Sequence, residues 1–246
     1  MTDNPLDFTG KRVIVVGGAS GIGNGIAHAF RRSGARVIAT GTRARASDYD
    51  PAEGSDLAGL DFISLDAADF AAVEALDIPD PLDVLVLSQG AVLYRRQEFA
   101  MDGFQRIVDV NLNSVMACAL RCKAALSAAN GALIIISSTA AFHATRGNPA
   151  YNASKTALIG LTRTLGEAWA REGVRVNCIA PGLVDTKLTK VTTENPERLA
   201  ASLQRIPAGR LGTPDDMAGA ALFLASPLSA YVYGQTIPVD GGLILS

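Results

Sequence analysis

Cysteine, histidine and net charge are all scarce in this chain. Of its 246 residues, three are cysteine and two, His28 and His143, are histidine. An odd cysteine count makes no disulfide framework. Cys118 and Cys122 share a helical face, yet no histidine or third cysteine lies nearby to complete a zinc site, so no metal is expected. The thiols read as packing residues, and a reducing cytoplasm is the expected compartment. Lys and Arg number 22 against 24 Asp and Glu, a net charge of −2. That balance argues against a nucleic-acid partner. No apolar run approaches the roughly 18 residues of a membrane span, so no membrane partner is expected. The opening "MTDNPLDFTG" is polar and acidic, unlike a signal peptide or basic transit segment. Composition breaks, long linkers and internal repeats are also missing, so residues 1–246 are expected to form one domain.

What is present is core material: 48% of residues are hydrophobic and 19% charged. Short apolar runs alternate with helical patterns. The expected strands cover 11–17, 36–40, 61–65, 83–88, 132–137, 174–180 and 235–239. Several are apolar on both faces, as strands covered by helices on both sides must be. Helix candidates lie between them, such as 22–32 with Ile22, Ile26 and Phe30, and 150–171 with Leu158, Leu161, Leu165 and Trp169. This alternation predicts an α/β fold: a Rossmann-type, doubly wound parallel sheet of seven strands with helices on both faces. The polar, turn-rich segment 42–60 leaves little room for a crossover helix after the second strand.

Two local patterns suggest chemistry. The first strand runs into "GGASGIG" (17–23), where Gly17, Gly21 and Gly23 sit at a strand-to-helix turn. Glycine lets backbone approach a ligand, and the helix N-terminus offers free N–H groups to a pyrophosphate. The second pattern is "AYNASK" (150–155), which sets Tyr151 and Lys155 four apart on one helical face. A phenol with pKa near 10 is a poor acid–base group at neutral pH. A nearby ammonium favours the phenolate, which predicts a lowered Tyr151 pKa.

These residues, with "LDAAD" (65–69), "NLNS" (111–114), "ISS" (136–138), "APGLVDT" (180–186) and "VDGG" (239–242), resemble the short-chain dehydrogenase/reductase family. The matches run in order from Arg12 to Gly242. The resemblance implies hydride transfer between a nicotinamide and a carbonyl or secondary alcohol. Tyr151 is then the general acid/base, Ser138 bonds the substrate oxygen, Lys155 also holds the nicotinamide ribose, and Asn111 positions a water behind Lys155. It assigns cofactor contact to Gly17, Ser20, Gly21, Ile22 and Gly23 of the turn, and to Thr42 and Arg43 after the second strand. Asp66, Gly90, Tyr151, Lys155, Pro181, Gly182, Val184 and Thr186 complete that set. A homotetramer is implied through helices near 100–128 and 150–171, and segment 187–210 is implied to be a lid. Two places depart from the family pattern: Val16 stands where threonine is usual, and "LSQG" (87–90) replaces an Asn-Asn-Ala-Gly segment.

The end of the second strand bears on cofactor choice. NAD-specific sites place an acidic residue there for the ribose 2′-hydroxyl. This chain has Gly41, then Thr42, Arg43 and Arg45, so NADP is favoured over NAD, with Arg43 able to pair a 2′-phosphate. Ser20, in place of the basic residue common before the second glycine, weighs the other way. Arg95, Arg96, His143 and Arg146 could face an acidic substrate such as a hydroxy acid or sugar acid. Two other readings compete: a dinucleotide-binding sensor that has lost catalysis, and a nucleotide-sugar epimerase or dehydratase. The intact Ser–Tyr–Lys–Asn set speaks against the first, and the lack of room for a C-terminal substrate domain against the second.

Overall fold

The structure, a computed structural model, describes residues 4–245. In chain order the elements are β1 (Arg12–Val16), α1 (Gly21–Arg32), β2 (Arg36–Gly41), β3 (Asp61–Ser64), α2 (Phe70–Glu74), β4 (Val84–Leu87), α3 (Met101–Val108), α4 (Ser114–Ala129), β5 (Ala132–Ile136), α5 (Pro149–Trp169), β6 (Arg175–Pro181), α6 (Lys190–Thr193), α7 (Pro196–Arg205), α8 (Pro214–Ala225) and β7 (Thr236–Val239). The strands form one parallel sheet in the order β3-β2-β1-β4-β5-β6-β7. All seven expected strands are there. Only two short 3₁₀ turns, at 46–48 and 51–53, follow β2, as the polar segment predicts.

Side-chain alternation along the strands builds two cores. Ile14, Val16, Leu85, Leu87, Leu133 and Ile135 point to one face, where α4 contributes Val115, Cys118, Cys122 and Leu126 and α5 contributes Leu158, Leu165 and Trp169. Their neighbours Val13, Val15, Val84, Val86, Ile134 and Ile136 point to the other, against Ile26 and Phe30 of α1 and Met217, Ala221 and Leu224 of α8. Burying a side chain such as Phe30 contributes about 1.5–3 kcal/mol, so the central strands are held firmly from both sides. All three cysteines are buried. Among the described residues no helix is long and apolar enough to cross a membrane.

Helix starts follow local chemistry. At α8, Thr213 and Asp216 form a capping box with Pro214 in the first turn. At α7, Asn195 caps through the Arg198 N–H and Pro196 opens the helix, as the sequence predicts. The helix expected near 100–128 is there, helical without a break from Met101 to Ala129, but a π-helical turn at Asp109–Asn113 interrupts its α-helical ladder between α3 and α4. Such bulges re-aim side chains and often mark functional sites.

Candidate active site

Strand order reverses between β1 and β4, since the chain leaves β3 at one edge and resumes beside β1. Open α/β sheets bind ligands at that switch point, outside the C-terminal ends of the strands. A cleft of about 950 Å³ lies there. Every residue assigned to cofactor contact from the sequence lines it, from Gly17 and Ser20 through Arg43, Asp66 and Gly90 to Thr186. Ser138 lines it as well, whereas Asn111 is fully buried behind the wall.

The glycine turn brings backbones into contact. Gly17 has φ of +74°, and a Cβ there would lie 2.8 Å from the Gln89 nitrogen. A Cβ on Gly23 would collide with the Gly17 carbonyl. The first turn of α1 holds no acidic residue, and the Ser20 side chain makes no capping bond. The Gly21 N–H donates to Gly54 O (3.2 Å), which leaves the following helix N–H groups, of Ile22 and Gly23, without intrahelical partners. Free donors at the positive end of a helix suit a pyrophosphate. The donor set therefore fits a dinucleotide's pyrophosphate, and Lys155, Pro181, Gly182, Val184 and Thr186 line the same cleft.

Both departures from the family pattern find a physical answer. The register that pairs Val15 with Ala39 puts Thr40 beside the turn. Its buried hydroxyl accepts from the Gly17 N–H (3.2 Å), supplying from β2 the hydroxyl that Val16 lacks. The signal was a threonine one residue before the end of the neighbouring strand. In "LSQG", the Ser88 N–H bonds to Val16 O (2.9 Å), and the Gln89 amide donates to Ser114 Oγ (3.1 Å), tying the loop to α4.

At the end of β2, glycine is required. A Cβ on Gly41 would collide with the Tyr49 hydroxyl, because Tyr49 lies across the strand end and packs edge-on against Phe62 at 5.5 Å. The Arg43 N–H donates to that same hydroxyl (3.0 Å), and the Arg43 guanidinium stacks over the Tyr49 ring at 5.0 Å and donates to Asp48 O. Further along the rim, Lys187 pairs with Glu53 (2.7 Å) and donates to Ser55 Oγ (3.2 Å), so the two loops flanking the groove meet.

The catalytic candidates sit at the other end. Lys155 is 4% exposed and donates to Ile136 O (3.0 Å). Burial pushes its ammonium down to about 8, with the neighbouring Cys178 acting weakly the other way. Its Nζ lies 5.8 Å from the centre of the Tyr151 ring. The Tyr151 phenol is shifted upward, opposite to the direction expected from the sequence. Burial is the largest cause; a hydrogen bond with Ser138 opposes it, while Tyr94 and Glu98 add to it. Desolvation of the phenolate thus outweighs the Ser138 hydrogen bond, and the Lys155 ammonium is turned to the Ile136 carbonyl. The result is a phenol that stays protonated at neutral pH, ready to donate.

Surrounding bonds fix these groups. Ser138 follows β5 in an extended conformation, and its Oγ accepts from the Ala140 N–H (3.1 Å). Ser137 Oγ donates to Lys155 O (2.7 Å), joining β5 to α5. The Asn111 amide accepts from the Ala91 N–H (2.7 Å) and donates to Ala91 O (2.9 Å) and Ser154 Oγ (3.2 Å). It clamps the residue after Gly90 to α5, and a Cβ on Gly90 would lie 3.3 Å from Lys155 Nζ. On the substrate side, the Tyr94 hydroxyl donates to Leu188 O (2.6 Å), linking the loop after β4 to the segment after β6. Arg95, Arg96, His143 and Arg146 are exposed and lie outside the cleft lining. Glu98, absent from the sequence-based candidates, is buried between the loop and α5.

Comparison with known proteins gives the class. Residues 17–244 match the family described as enoyl-(acyl carrier protein) reductase. A 2-dehydro-3-deoxy-D-gluconate 5-dehydrogenase of Bacillus subtilis is 37% identical over 96% of each chain. A 3-oxoacyl-[acyl-carrier-protein] reductase of Chlamydia pneumoniae is 35% identical over 97% of this chain and 98% of its own. Among solved structures, a gluconate 5-dehydrogenase from Burkholderia cenocepacia in complex with NADP and tartrate superposes with a TM-score of 0.88 at 29% identity, covering 99% of this chain and all of that one. The chain belongs to the short-chain dehydrogenase/reductase family. It is an NAD(P)-dependent oxidoreductase of carbonyl and alcohol groups, and nothing in these similarities favours an inactive sensor.

Proposed function

We propose that the chain is an NADP-dependent dehydrogenase of a small hydroxy acid of the sugar-acid type, with Tyr151 as its general acid/base. Bound NADP(H) supplies or takes the hydride. Tyr151 passes the proton at the substrate oxygen, Ser138 hydrogen-bonds that oxygen, and Lys155 holds the ribose beside the phenol. Asn111 keeps the Ala91 backbone and α5 in register. NADP is supported by Gly41, where Tyr49 excludes the carboxylate that would favour NAD, and by Arg43 beside it. The gluconate dehydrogenase with bound NADP supports the same choice.

The observation that carries the substrate class is the loop leaving Ala91. Arg95 and Arg96 both have left-handed backbone, φ +55° and +60°, a conformation that costs non-glycine residues energy and concentrates at functional sites. Arg96 stacks on Phe99 at 4.7 Å, while Arg95 has no hydrogen-bond or ion-pair partner among the described residues. Arg95 lies outside the cleft lining, but it follows Tyr94, whose hydroxyl bonds Leu188 O, and a free guanidinium there suits the carboxylate of a substrate that extends beyond that lining. The tetramer implied by the resemblance draws support from Leu120 on α4, 54% exposed, and Leu245, 86% exposed, apolar surface that assembly would cover.

A substrate panel tests the reading by following the absorbance of NADPH. Oxo and hydroxy sugar acids should be turned over, and Arg95→Ala should raise their KM by about tenfold or more, the worth of one charge-assisted bond. Equal turnover of neutral polyols, with no effect of Arg95→Ala on the acids, would overturn the substrate class. Preference for a 3-oxoacyl thioester would do the same.

A further inference from the structure

The helix that carries Tyr151 lacks its own cap. Asn148 precedes α5 without making a side-chain capping bond, Pro149 opens the helix, and its first turn has no acidic residue. The N–H groups of that turn need acceptors from elsewhere. One comes from Glu98, 53 residues earlier, whose Oε2 accepts from the Tyr151 N–H at 2.9 Å. Its Oε1 accepts from the Leu93 N–H (3.0 Å) and the Asn148 amide (3.3 Å). Asn148 closes the knot by donating to Leu93 O (2.8 Å).

The fold goes to some length to bring this carboxylate inward. The left-handed pair Arg95 and Arg96 reverses the chain into the 3₁₀ turn at 97–99. Gly103 lets the turn pack close, since a Cβ there would collide with Gln97 O. Glu98 ends only 1% exposed, and each of these partners is a neutral N–H donor. A carboxylate is the side chain that can accept from all of them at once, and the positive end of α5 favours its charge.

We propose that Glu98 is a positioning residue for hydride transfer, which locks the start of the catalytic helix to the substrate loop and so fixes where the Tyr151 phenol meets the substrate. The proposal rests on the reading of Tyr151 as acid/base. Geometry links the two residues through the Tyr151 N–H itself, and charge links them as well. The groups facing the phenol are Ser138, Lys155, Tyr94 and Glu98. The carboxylate is the anion among them, and it adds to the upward shift of both phenols after burial. A substitution that keeps the shape of Glu98 but removes its charge therefore moves Tyr151 in position and in titration together.

The test is Glu98→Gln, with Glu98→Asp as the charge-retaining partner. A carboxamide turns an N–H toward donors and loosens the knot, so kcat should fall by roughly 10- to 100-fold, the scale of a ~1 Å misplacement. NADPH affinity, measured by fluorescence without substrate, should stay near wild type, because Glu98 does not line the cleft. The tyrosinate titration of Tyr151, taken as the difference between each protein and its Tyr151→Phe counterpart, should move to lower pH in Glu98→Gln and stay in place in Glu98→Asp. An unmoved titration in Glu98→Gln, or a kcat equal to wild type, overturns the proposal. If Glu98→Gln does not fold, Glu98→Asp decides: a shortened carboxylate that leaves kcat unchanged is equally fatal. The titration needs no turnover. A shift in Glu98→Gln together with an active Tyr151→Phe enzyme would leave the coupling standing while removing the acid/base role.

Discussion

The wall of the cleft and its outer rim are built from opposite materials. In the wall and just behind it, Lys155, Asn111 and Glu98 are at most 4% exposed, and each is bonded to backbone of another element. On the rim, Arg45 and Asp48, then Lys187 and Glu53, form ion pairs whose side chains are 30–78% exposed. Buried polar groups must be satisfied, so their bonds dictate geometry. Exposed ion pairs are worth little and can be exchanged without moving the fold. On the proposed reading, the chemistry resides where position is fixed, and cofactor choice resides where charge can change.

The largest effect should come from the wall. Tyr151→Phe removes one hydroxyl and keeps the ring, so kcat should drop by about 10²–10⁴-fold, the usual worth of a general acid. NADPH binding, read by fluorescence, should persist. A variant that keeps more than about a tenth of the wild-type rate would take Tyr151 out of the role and erase the distinction between wall and rim. Lys155→Ala should damage rate and cofactor affinity together, since that one ammonium lies beside both the phenol and Gly90.

The same contrast explains what the sequence made legible. Strands, the glycine turn and the Tyr151–Lys155 spacing are local patterns, and the cleft gathers the residues they nominate. What was hidden depends on contacts far apart in sequence. Thr40 reaches Gly17 only because β2 and β1 run in parallel register. Glu98 reaches Tyr151 only because two arginines adopt left-handed backbone. No periodicity encodes either contact. The Tyr151 shift runs opposite to the sequence expectation for a related reason: charge is visible in a sequence, but burial of the phenol is not.

At the rim, the effect should be smaller and selective. Arg43 lies over Tyr49 beside the position where an acidic residue would mark NAD use. If it pairs the 2′-phosphate, Arg43→Ala should weaken NADPH use by about ten- to a hundred-fold, the scale of a charge-assisted bond. NADH use should barely change. Comparing kcat/KM for the two cofactors checks this; an equal loss with both would make Arg43 a structural support for Tyr49, and an outright wild-type preference for NADH would reverse the cofactor assignment.

The smallest effect belongs to the strap between the two loops. Lys187 bonds Glu53 and Ser55 across the groove, and the hydrogen bond from Lys187 is the leading reason that the Glu53 carboxyl is held below its ordinary value of 4.5. A depressed carboxyl contributes stability that is present above its ordinary value and lost as pH falls through the depressed one. Lys187→Ala should therefore lower the melting temperature only slightly at neutral pH, because neither partner is buried. That difference should shrink as pH is taken below 4.5 and as salt is added. Turnover at saturating cofactor should be unchanged. A melting difference that ignores both pH and salt would assign the strap to the Ser55 bond instead. A loss of kcat approaching that of Tyr151→Phe would mean that the rim, too, sets the geometry of the chemistry.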